Sequence, residues 1–163
     1  MPLRSDWSAE LCPIARGIDA IGDPWTLLIL REAVSGARRF DDFKRRITAS
    51  DNVLAARLAT MVEQGLLEAR PYSEGARPRH EYVPTEAGAD AVPVLQAYAT
   101  WAHRHRPSER EQPAFAVVCG ACGATTERAE TCAACGADLS IAEGVQWRRP
   151  GPHRGERVAL SAS

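Results

Sequence analysis

The 163-residue sequence lacks any run of eighteen apolar residues, and its first thirteen residues, MPLRSDWSAELCP, contain no apolar signal core. A membrane-spanning helix needs about 20 predominantly apolar residues. A secretory signal needs an apolar core of roughly 7–15 residues near the start of the chain. The sequence therefore predicts a protein that has no membrane partner and is not exported, and we expect it in the cytoplasm.

The sequence also lacks an overall excess of positive charge, because its net charge is −1 and its one lysine is Lys44. The charge is unevenly distributed, however. Residues 36–80 contain nine Arg or Lys and six Asp or Glu, whereas residues 115–147 contain one Arg and four Asp or Glu. Arginine suits contacts with phosphate and guanine, although a biased genome composition would also enrich it. The basic and acidic segments favour two different roles.

Cysteine is sparse, yet four of the five cysteines form the pattern C-x2-C-x9-C-x2-C. In a reducing cytosol, such pairs indicate metal or redox chemistry rather than structural disulfides. Four thiolates complete a tetrahedral shell around Zn²⁺ and leave no position for water or substrate. The predicted ligands of one structural Zn²⁺ per chain are Cys119, Cys122, Cys132 and Cys135. An iron site with four sulfurs is the alternative.

The segment around these cysteines predicts a zinc ribbon at residues 115–147, because FAVV and VQW at its ends are typical of short strands. About 33 residues bury too little apolar surface to fold alone, so metal binding would contribute much of the folding free energy. The negative charge of the segment disfavours DNA contact. Residues 107–114 are polar and predict a linker. Residues 148–163 have few apolar residues and predict a mobile tail.

The first 106 residues show the order helix, helix, short helix, helix, hairpin, helix. Proline is pre-set for the first position of a helix, and Pro13 and Pro24 mark two such starts. Asp23, Ser50 and Thr85 are typical N-caps. The order predicts a winged helix-turn-helix for DNA binding and dimerisation in residues 1–106. We therefore expect a mainly α fold with a small β-hairpin, plus a small β zinc ribbon.

The predicted helix at residues 50–64 is the candidate recognition helix, since a B-DNA major groove admits one α-helix and the hairpin tip can reach phosphates or the minor groove. Asn52 is able to bind adenine bidentately. Arg57 is able to bind guanine or phosphate, and is equally suited to an ion pair with a nearby acid. The residues predicted to contact DNA are Arg39, Ser50, Asn52, Arg57, Thr60, Arg77 and Arg79.

Residues 11–103 resemble the HxlR family of bacterial transcription regulators. The motifs that carry the resemblance are Cys12-Pro13, Gly22-Asp23-Pro24-Trp25, Arg39-Phe40, Leu54 with Arg57-Leu58, Glu63-x-Gly65-Leu66, Glu81-Tyr82, Thr85-Glu86-x-Gly88 and Trp101. The resemblance implies a homodimer that binds a palindromic operator, with the first and last helices at the dimer interface. The family often has lysine where Asn52 stands and polar residues where Ala55 and Ala56 stand. These alanines are able to contact thymine methyl groups instead.

Cys12 has no partner cysteine nearby in the sequence. It lies at the predicted start of a helix, where the helix dipole stabilises negative charge. Some members of the resembling family use a cysteine near this point to sense oxidants or quinones, so Cys12 is a candidate redox sensor. The alternative is a small buried residue that packs the first helix.

The sequence thus predicts a sequence-specific DNA-binding transcriptional regulator, a dimeric repressor rather than an activator, and not an enzyme. The pattern leaves open whether a small-molecule effector binds. One alternative is a thiol oxidoreductase or zinc-dependent enzyme that uses the Cys-x-x-Cys pairs. Another is an adaptor that recruits a partner protein through the ribbon.

Overall fold

The computed structural model describes residues 6–73, 79–106, 115–148 and 156–162. These residues form six helices and six strands. The elements are α1 (Pro13–Ile21), α2 (Pro24–Val34), α3 (Phe40–Arg46), α4 (Asp51–Glu63), β1 (Leu67–Pro71), β2 (His80–Pro84), α5 (Glu86–Ala89), α6 (Val92–His105), β3 (Ala116–Val118), β4 (Thr125–Thr126), β5 (Gln146–Arg148) and β6 (Arg157–Ala159). Within the described part of the chain, no helix is long and apolar enough to cross a bilayer.

The helices start at the caps that the sequence predicts. The Asp23 carboxylate accepts the N–H groups of the second and third residues of α2. The Ser50 hydroxyl accepts the Val53 N–H of α4 at 3.4 Å, and the Thr85 hydroxyl accepts the Gly88 N–H of α5 at 3.2 Å. Each cap satisfies N–H groups that have no partner within the helix.

The helix after Thr85 differs from the sequence prediction, which placed a single long helix there. The chain instead forms the short α5 and then α6, in which Pro93 is the second residue. Proline has no N–H to donate, and its ring clashes with the carbonyl four residues earlier. The helix is therefore interrupted at residues 90–91 and begins again at Val92.

The first half of the chain forms a winged helix-turn-helix, as predicted. Helices α2, α3 and α4 share one apolar core whose central side chains are Ile29, Leu30, Phe43, Leu54, Leu58 and Met61. Strands β1 and β2 pair antiparallel from Leu67–Pro84 to Pro71–His80. The fold class is confirmed: mainly helical, with a small β-hairpin that forms the wing.

The cysteine segment forms a small antiparallel sheet in the strand order β4-β3-β5-β6. Strands β3 and β5 lie at the two positions predicted from the sequence. Trp147 of β5 is 1% exposed and contacts Phe115 edge to face. The residues around it belong to the same apolar cluster as the core of the helical half.

The C-terminal segment departs from the mobile tail predicted for residues 148–163. Arg148 ends β5, and β6 pairs with β5 antiparallel, with Trp147 opposite Val158. Leu160 is buried, and the Ser161 N–H donates to the carbonyl of Val34 at 3.0 Å. Three residues of strand were too few to give a pattern, and the Val34 carbonyl that Ser161 contacts lies far away in the sequence. The predicted linker, residues 107–114, lies outside the described residues.

Gly88→Ala is expected to destabilise the protein, because a Cβ at this position would lie 2.2 Å from the carbonyl oxygen of Leu66. That oxygen belongs to the backbone, and overpacking of this kind costs about 1–3 kcal/mol. Urea denaturation measures the change in the free energy of unfolding.

Gly17→Ala is the control, because a Cβ there meets nothing within 4 Å and alanine favours a helix interior by about 1 kcal/mol. Equal stability of the Gly88→Ala and wild-type proteins would contradict the packing account.

Candidate nucleic-acid interface and metal centre

The outer face of α4 carries short side chains. Asn52, Ala55, Ala56 and Ala59 are all exposed. The Asn52 side chain makes no hydrogen bond to any described residue, so its amide is available to a ligand. Short side chains allow a helix to approach another surface closely. The opposite face carries the buried stripe that fixes α4 in the core.

Arg57 lies at the edge of this face, and its Nη2 is 3.0 Å from the Asp23 carboxylate. Asp23 also caps α2, so the ion pair ties α4, the candidate recognition helix, to the start of α2. The two side chains are 33% and 32% exposed. The structure thus shows the ion pair that the sequence left as an alternative to a DNA contact for Arg57.

Two further residues of the predicted DNA-contacting set are used within α4 itself. The Ser50 hydroxyl caps the helix at the Val53 N–H. The half-buried Thr60 donates its hydroxyl to the Ala56 carbonyl at 3.1 Å. Both side chains therefore have partners in the free protein.

Arg39 connects the helix-turn-helix to the wing. Its Nε lies 3.1 Å from Glu81 of β2, and its guanidinium is 4.3 Å from the centre of the Tyr72 ring. The side chain is nevertheless 56% exposed. Arg39 thus both orients the wing and presents positive charge at the surface.

The wing itself contributes Arg79, which is exposed directly before β2. Its backbone N–H donates to the Ser73 hydroxyl at 2.8 Å. Its side chain forms no ion pair with any residue in the described ranges. Arg77, the other predicted wing contact, lies outside the described residues.

Helix α3 is anchored by Asp42, whose carboxylate accepts the N–H of Arg39 at 3.0 Å and that of Arg38 at 3.2 Å. The hydrogen bond from Arg39 is the main reason why the pKa of Asp42 is lowered. The outer side of α3 carries Lys44, which pairs with Asp51 of α4 at 2.7 Å. Asp42 thus fixes the start of α3, and the exposed Lys44–Asp51 pair links α3 to α4.

The four predicted ligand cysteines come together in the second half of the chain. Their sulfur atoms all lie within 4.8 Å of one another, and Cys119–Cys135 and Cys122–Cys132 are each 3.7 Å apart. A tetrahedral site with metal–sulfur bonds of about 2.3 Å has sulfurs about 3.8 Å apart. A disulfide would bring two sulfurs to about 2.05 Å. The arrangement therefore fits a four-sulfur metal site and not a pair of disulfides.

The backbone around the two Cys-x-x-Cys pairs follows one repeated pattern. The Cys119 and Cys132 carbonyls accept the N–H groups of Gly123 and Gly136. These glycines have φ angles of +73° and +77°, which favour glycine. They allow a tight turn after each pair.

The electrostatics of the sulfur cluster favour a bound cation. The N–H groups of Cys135 and Ala134 face the Cys132 sulfur and lower the pKa of this thiol to about 7. The Cys135 sulfur also faces the N–H of Ala137, yet its closeness to the other sulfurs raises its pKa to about 12. Four thiolates at this distance repel one another unless a cation lies between them.

Cys12 caps α1 without a hydrogen bond from its side chain, and it is exposed. The alternative that Cys12 is a small buried residue is therefore wrong. An exposed thiol is open to reagents in solution.

A sequence profile of the HxlR-like helix-turn-helix family matches residues 20–110. This chain belongs to that family. A relative described as an uncharacterized HTH-type transcriptional regulator of Mycobacterium tuberculosis is 34% identical over 150 residues, which cover 92% of this chain and 91% of the relative. Because the alignment spans 150 of the 163 residues, it extends beyond residue 110 into the cysteine segment.

Two solved structures resemble this HxlR-like protein to different extents. The candidate transcription factor PA1607 is 32% identical to this chain and has a TM-score of 0.67. The alignment covers 85% of this chain and 96% of that chain. The redox regulator HypR in its oxidized form is 25% identical, with a TM-score of 0.52 over 58% of this chain and 98% of that chain. The family and its relatives are transcription regulators, so the prediction of a transcription regulator and not an enzyme is confirmed.

Sequence reasoning missed the partners of the predicted residues in this HxlR-like protein. Asp23 was recognised as a cap, but not as the partner of Arg57. Glu81 belongs to one of the motifs that resemble the family, but neither it nor Tyr72 was indicated as a partner of Arg39. These pairs join residues that are more than 30 positions apart, and no local pattern in one sequence indicates them.

A double-mutant cycle tests the role of the Arg57–Asp23 pair. Arg57→Ala and Asp23→Asn should each destabilise the protein, because asparagine keeps the cap of α2 but not the charge. Since the pair is about one-third exposed, we expect a coupling energy of roughly 0.5–1 kcal/mol from urea denaturation.

The pair Arg70–Glu68 on β1 is the matched control, because its side chains are 53% and 56% exposed. Its coupling energy should be close to zero. Equal coupling energies in the two cycles would show that Arg57 does not position α4.

Proposed function

We propose that this regulator is a cytoplasmic homodimer that binds a palindromic operator in double-stranded DNA and represses transcription by blocking the promoter. The exposed face of α4 carries the proposal. Asn52 offers a bidentate amide for adenine, and the three neighbouring alanines fit against thymine methyl groups. Short side chains on this face would also allow the backbone of α4 to approach the base edges closely.

Positive charge beside α4 supports DNA as the partner. Lys44 and Arg45 of α3 have side chains that are 51% and 68% exposed in spite of their ion pairs. Arg39 and Arg79 add charge on the wing side of α4. Contacts with phosphate position a protein on DNA, while contacts with base edges give specificity. The exposed arginines would therefore set the position of α4, and Asn52 would contribute to the sequence preference.

A second copy of the chain is the partner proposed for the apolar surface of α1 and α6. The large apolar side chains exposed on these helices are Ile14, Ile18, Val94, Tyr98 and Trp101. Burying such a surface against its symmetric counterpart would stabilise a dimer. A twofold axis would then place the two recognition helices in successive major grooves.

Zinc is the metal proposed for the four-sulfur site. The 3.7 Å spacing of the sulfurs and the closed set of four ligands support a structural ion rather than a catalytic one, which would keep an open position. Iron is the second candidate, because four thiolates also bind iron. Elemental analysis and the visible absorption of ferric thiolates distinguish the two metals.

Thiol sensing at Cys12 is a second element of the proposal. The thiol is exposed at the start of α1, beside the proposed dimer surface. The similar protein HypR is described as a redox regulator. Reaction of the Cys12 thiol with hydrogen peroxide would give a sulfenic acid and water. The added oxygen would lie at the start of α1 and alter the packing of the dimer.

Selection of bound sequences from a random DNA pool should return a palindrome with half-sites about 34–36 Å apart. Asn52→Ala should lower discrimination at one base pair per half-site by about 1–3 kcal/mol. Arg79→Ala should weaken binding to all sequences evenly and reduce the salt slope of the dimer by about 2, because it removes one phosphate contact from each half-site. Fluorescence anisotropy at several salt concentrations measures both effects.

Arg128→Ala is the control, since Arg128 is an exposed arginine of the acidic ribbon. It should change neither affinity nor salt slope. A selection without an enriched palindrome would refute sequence-specific binding and would favour the adaptor alternative.

Titration of free thiols tests the metal proposal. In the native protein one thiol per chain, Cys12, should react rapidly, and all five should react after a chelator is added. Cys132→Ser should lose the metal, because one ligand of a closed site is removed. Cys12→Ser should keep the metal and abolish the rapid phase. Rapid reaction of a Cys-x-x-Cys pair in the metal-loaded protein would contradict a closed site.

A further inference from the structure

The ribbon packs directly against the helical half through Gln96 of α6. Gln96 is fully buried, and its amide nitrogen donates to the carbonyls of Ala129 and, at 3.3 Å, Leu139. Its amide oxygen accepts the indole N–H of Trp147 at 3.0 Å. All three partners belong to the ribbon. The buried amide is therefore satisfied by the ribbon in its folded form.

The residues that Gln96 contacts flank the second Cys-x-x-Cys pair. The Leu139 N–H donates to the Glu130 carbonyl, and Thr131 and Asp138 form a β-bridge on either side of Cys132 and Cys135. The loop that contacts α6 is thus closed around two of the four sulfurs. Metal binding at the sulfurs would hold this loop in the form that Gln96 recognises.

A second contact runs from the end of the ribbon sheet to the end of α2. The last four carbonyls of a helix need partners from outside it. Here the Arg31 carbonyl accepts the Ser35 hydroxyl. The carbonyls of residues 32 and 33 accept the N–H groups of Ala37 and Gly36, respectively. The donor to the fourth, that of Val34, is the N–H of Ser161 at 3.0 Å.

Arg38 reinforces this contact between the ribbon and the turn after α2. Its guanidinium donates to the Ala33 carbonyl at 2.6 Å, to the Ala37 carbonyl at 3.1 Å and to the Ser161 hydroxyl at 2.8 Å. The turn from α2 to α3 is therefore held from both sides, by its own arginine and by a residue that follows β6.

We propose that the metal-bound ribbon positions the DNA-binding unit, and that loss of the metal loosens α6 and the α2–α3 turn and thereby weakens DNA binding. Gln96 and Ser161 are the positioning residues. A ribbon this small depends on its metal for folding. Strand β6, which leads to Ser161, pairs with β5 of the ribbon, and the Leu160 N–H donates to the Val145 carbonyl at 3.3 Å. Both contacts should therefore weaken together when the metal leaves. Both effects rest on the proposed metal, and the effect on DNA affinity rests also on the proposed DNA binding.

The test uses the full chain loaded with Zn²⁺, the same chain after chelation under reducing conditions, and the chelated chain with Zn²⁺ added back. Hydrogen exchange followed by mass spectrometry should show amides of residues 33–38 exchanging at least about tenfold faster after chelation. Amides of the β1–β2 wing should be unchanged, and Zn²⁺ should restore slow exchange. Anisotropy should show DNA affinity falling at least about tenfold.

Ser161→Ala should speed exchange at residues 33–38 without loss of metal, because it removes the hydroxyl that Arg38 contacts. Ser161→Thr keeps a hydroxyl and should restore slow exchange. A chain shortened after Glu156 should show the largest effect of the variants and should still bind Zn²⁺.

Ser140→Ala is the matched control, because the Ser140 hydroxyl accepts the Glu143 N–H at 3.3 Å and this contact lies within the ribbon. It removes the same hydroxyl group from the ribbon without touching the α2–α3 turn. Exchange at residues 33–38 should therefore be unchanged in this variant.

Unchanged exchange at residues 33–38 after chelation would overturn the proposal, as would equal acceleration in the wing, which indicates global unfolding. If the loaded protein bound no DNA at all, the proposed function would fail, and the exchange measurements would still decide whether the ribbon holds the turn.

Discussion

The structure depends on the burial of α2, whose unpaired backbone groups at both ends must find partners within the protein. At the start of α2, Asp23 accepts two N–H groups and also pairs with Arg57 of the recognition helix. At its end, the Ser161 N–H donates to the Val34 carbonyl, and Arg38 adds a second donor to the Ala33 carbonyl. A single physical requirement, the pairing of buried backbone groups, thus links α2 to the recognition helix at one end and to the ribbon at the other.

Local features of this fold could be predicted from the sequence because they depend on neighbouring residues. The caps at Asp23, Ser50 and Thr85, the buried stripe of α4 and the pairing of cysteines across two similar turns are of this kind. The placement of Gln96 and Ser161 is different. The spacing of the apolar residues in α6 does not indicate that Gln96 is buried. The hydrogen-bond partners of Gln96 lie 33 to 51 residues away in the sequence. Such contacts follow from the packing of elements, which one sequence does not specify.

The candidate interface shows the same division. The sequence identified the helix that faces outward and the arginines near it, but it could not say which arginines have partners. In the structure, Arg57 and Arg39 each pair with an acidic residue of another element. The Arg79 side chain, by contrast, forms no ion pair with any described residue. The sequence likewise identified the four sulfurs but not the surface against which their ribbon packs.

The alanine-rich face of α4 and these ion pairs are physically related. A face with few long polar side chains gives few hydrogen bonds to bases, so its fit in a groove depends on accurate placement of the helix backbone. An arginine that holds α4 against α2, or the wing against α3, contributes to that placement. In the proposed complex, Arg57 would therefore affect specificity without touching a base, because a small rotation of α4 would move Asn52 out of reach of its base edge.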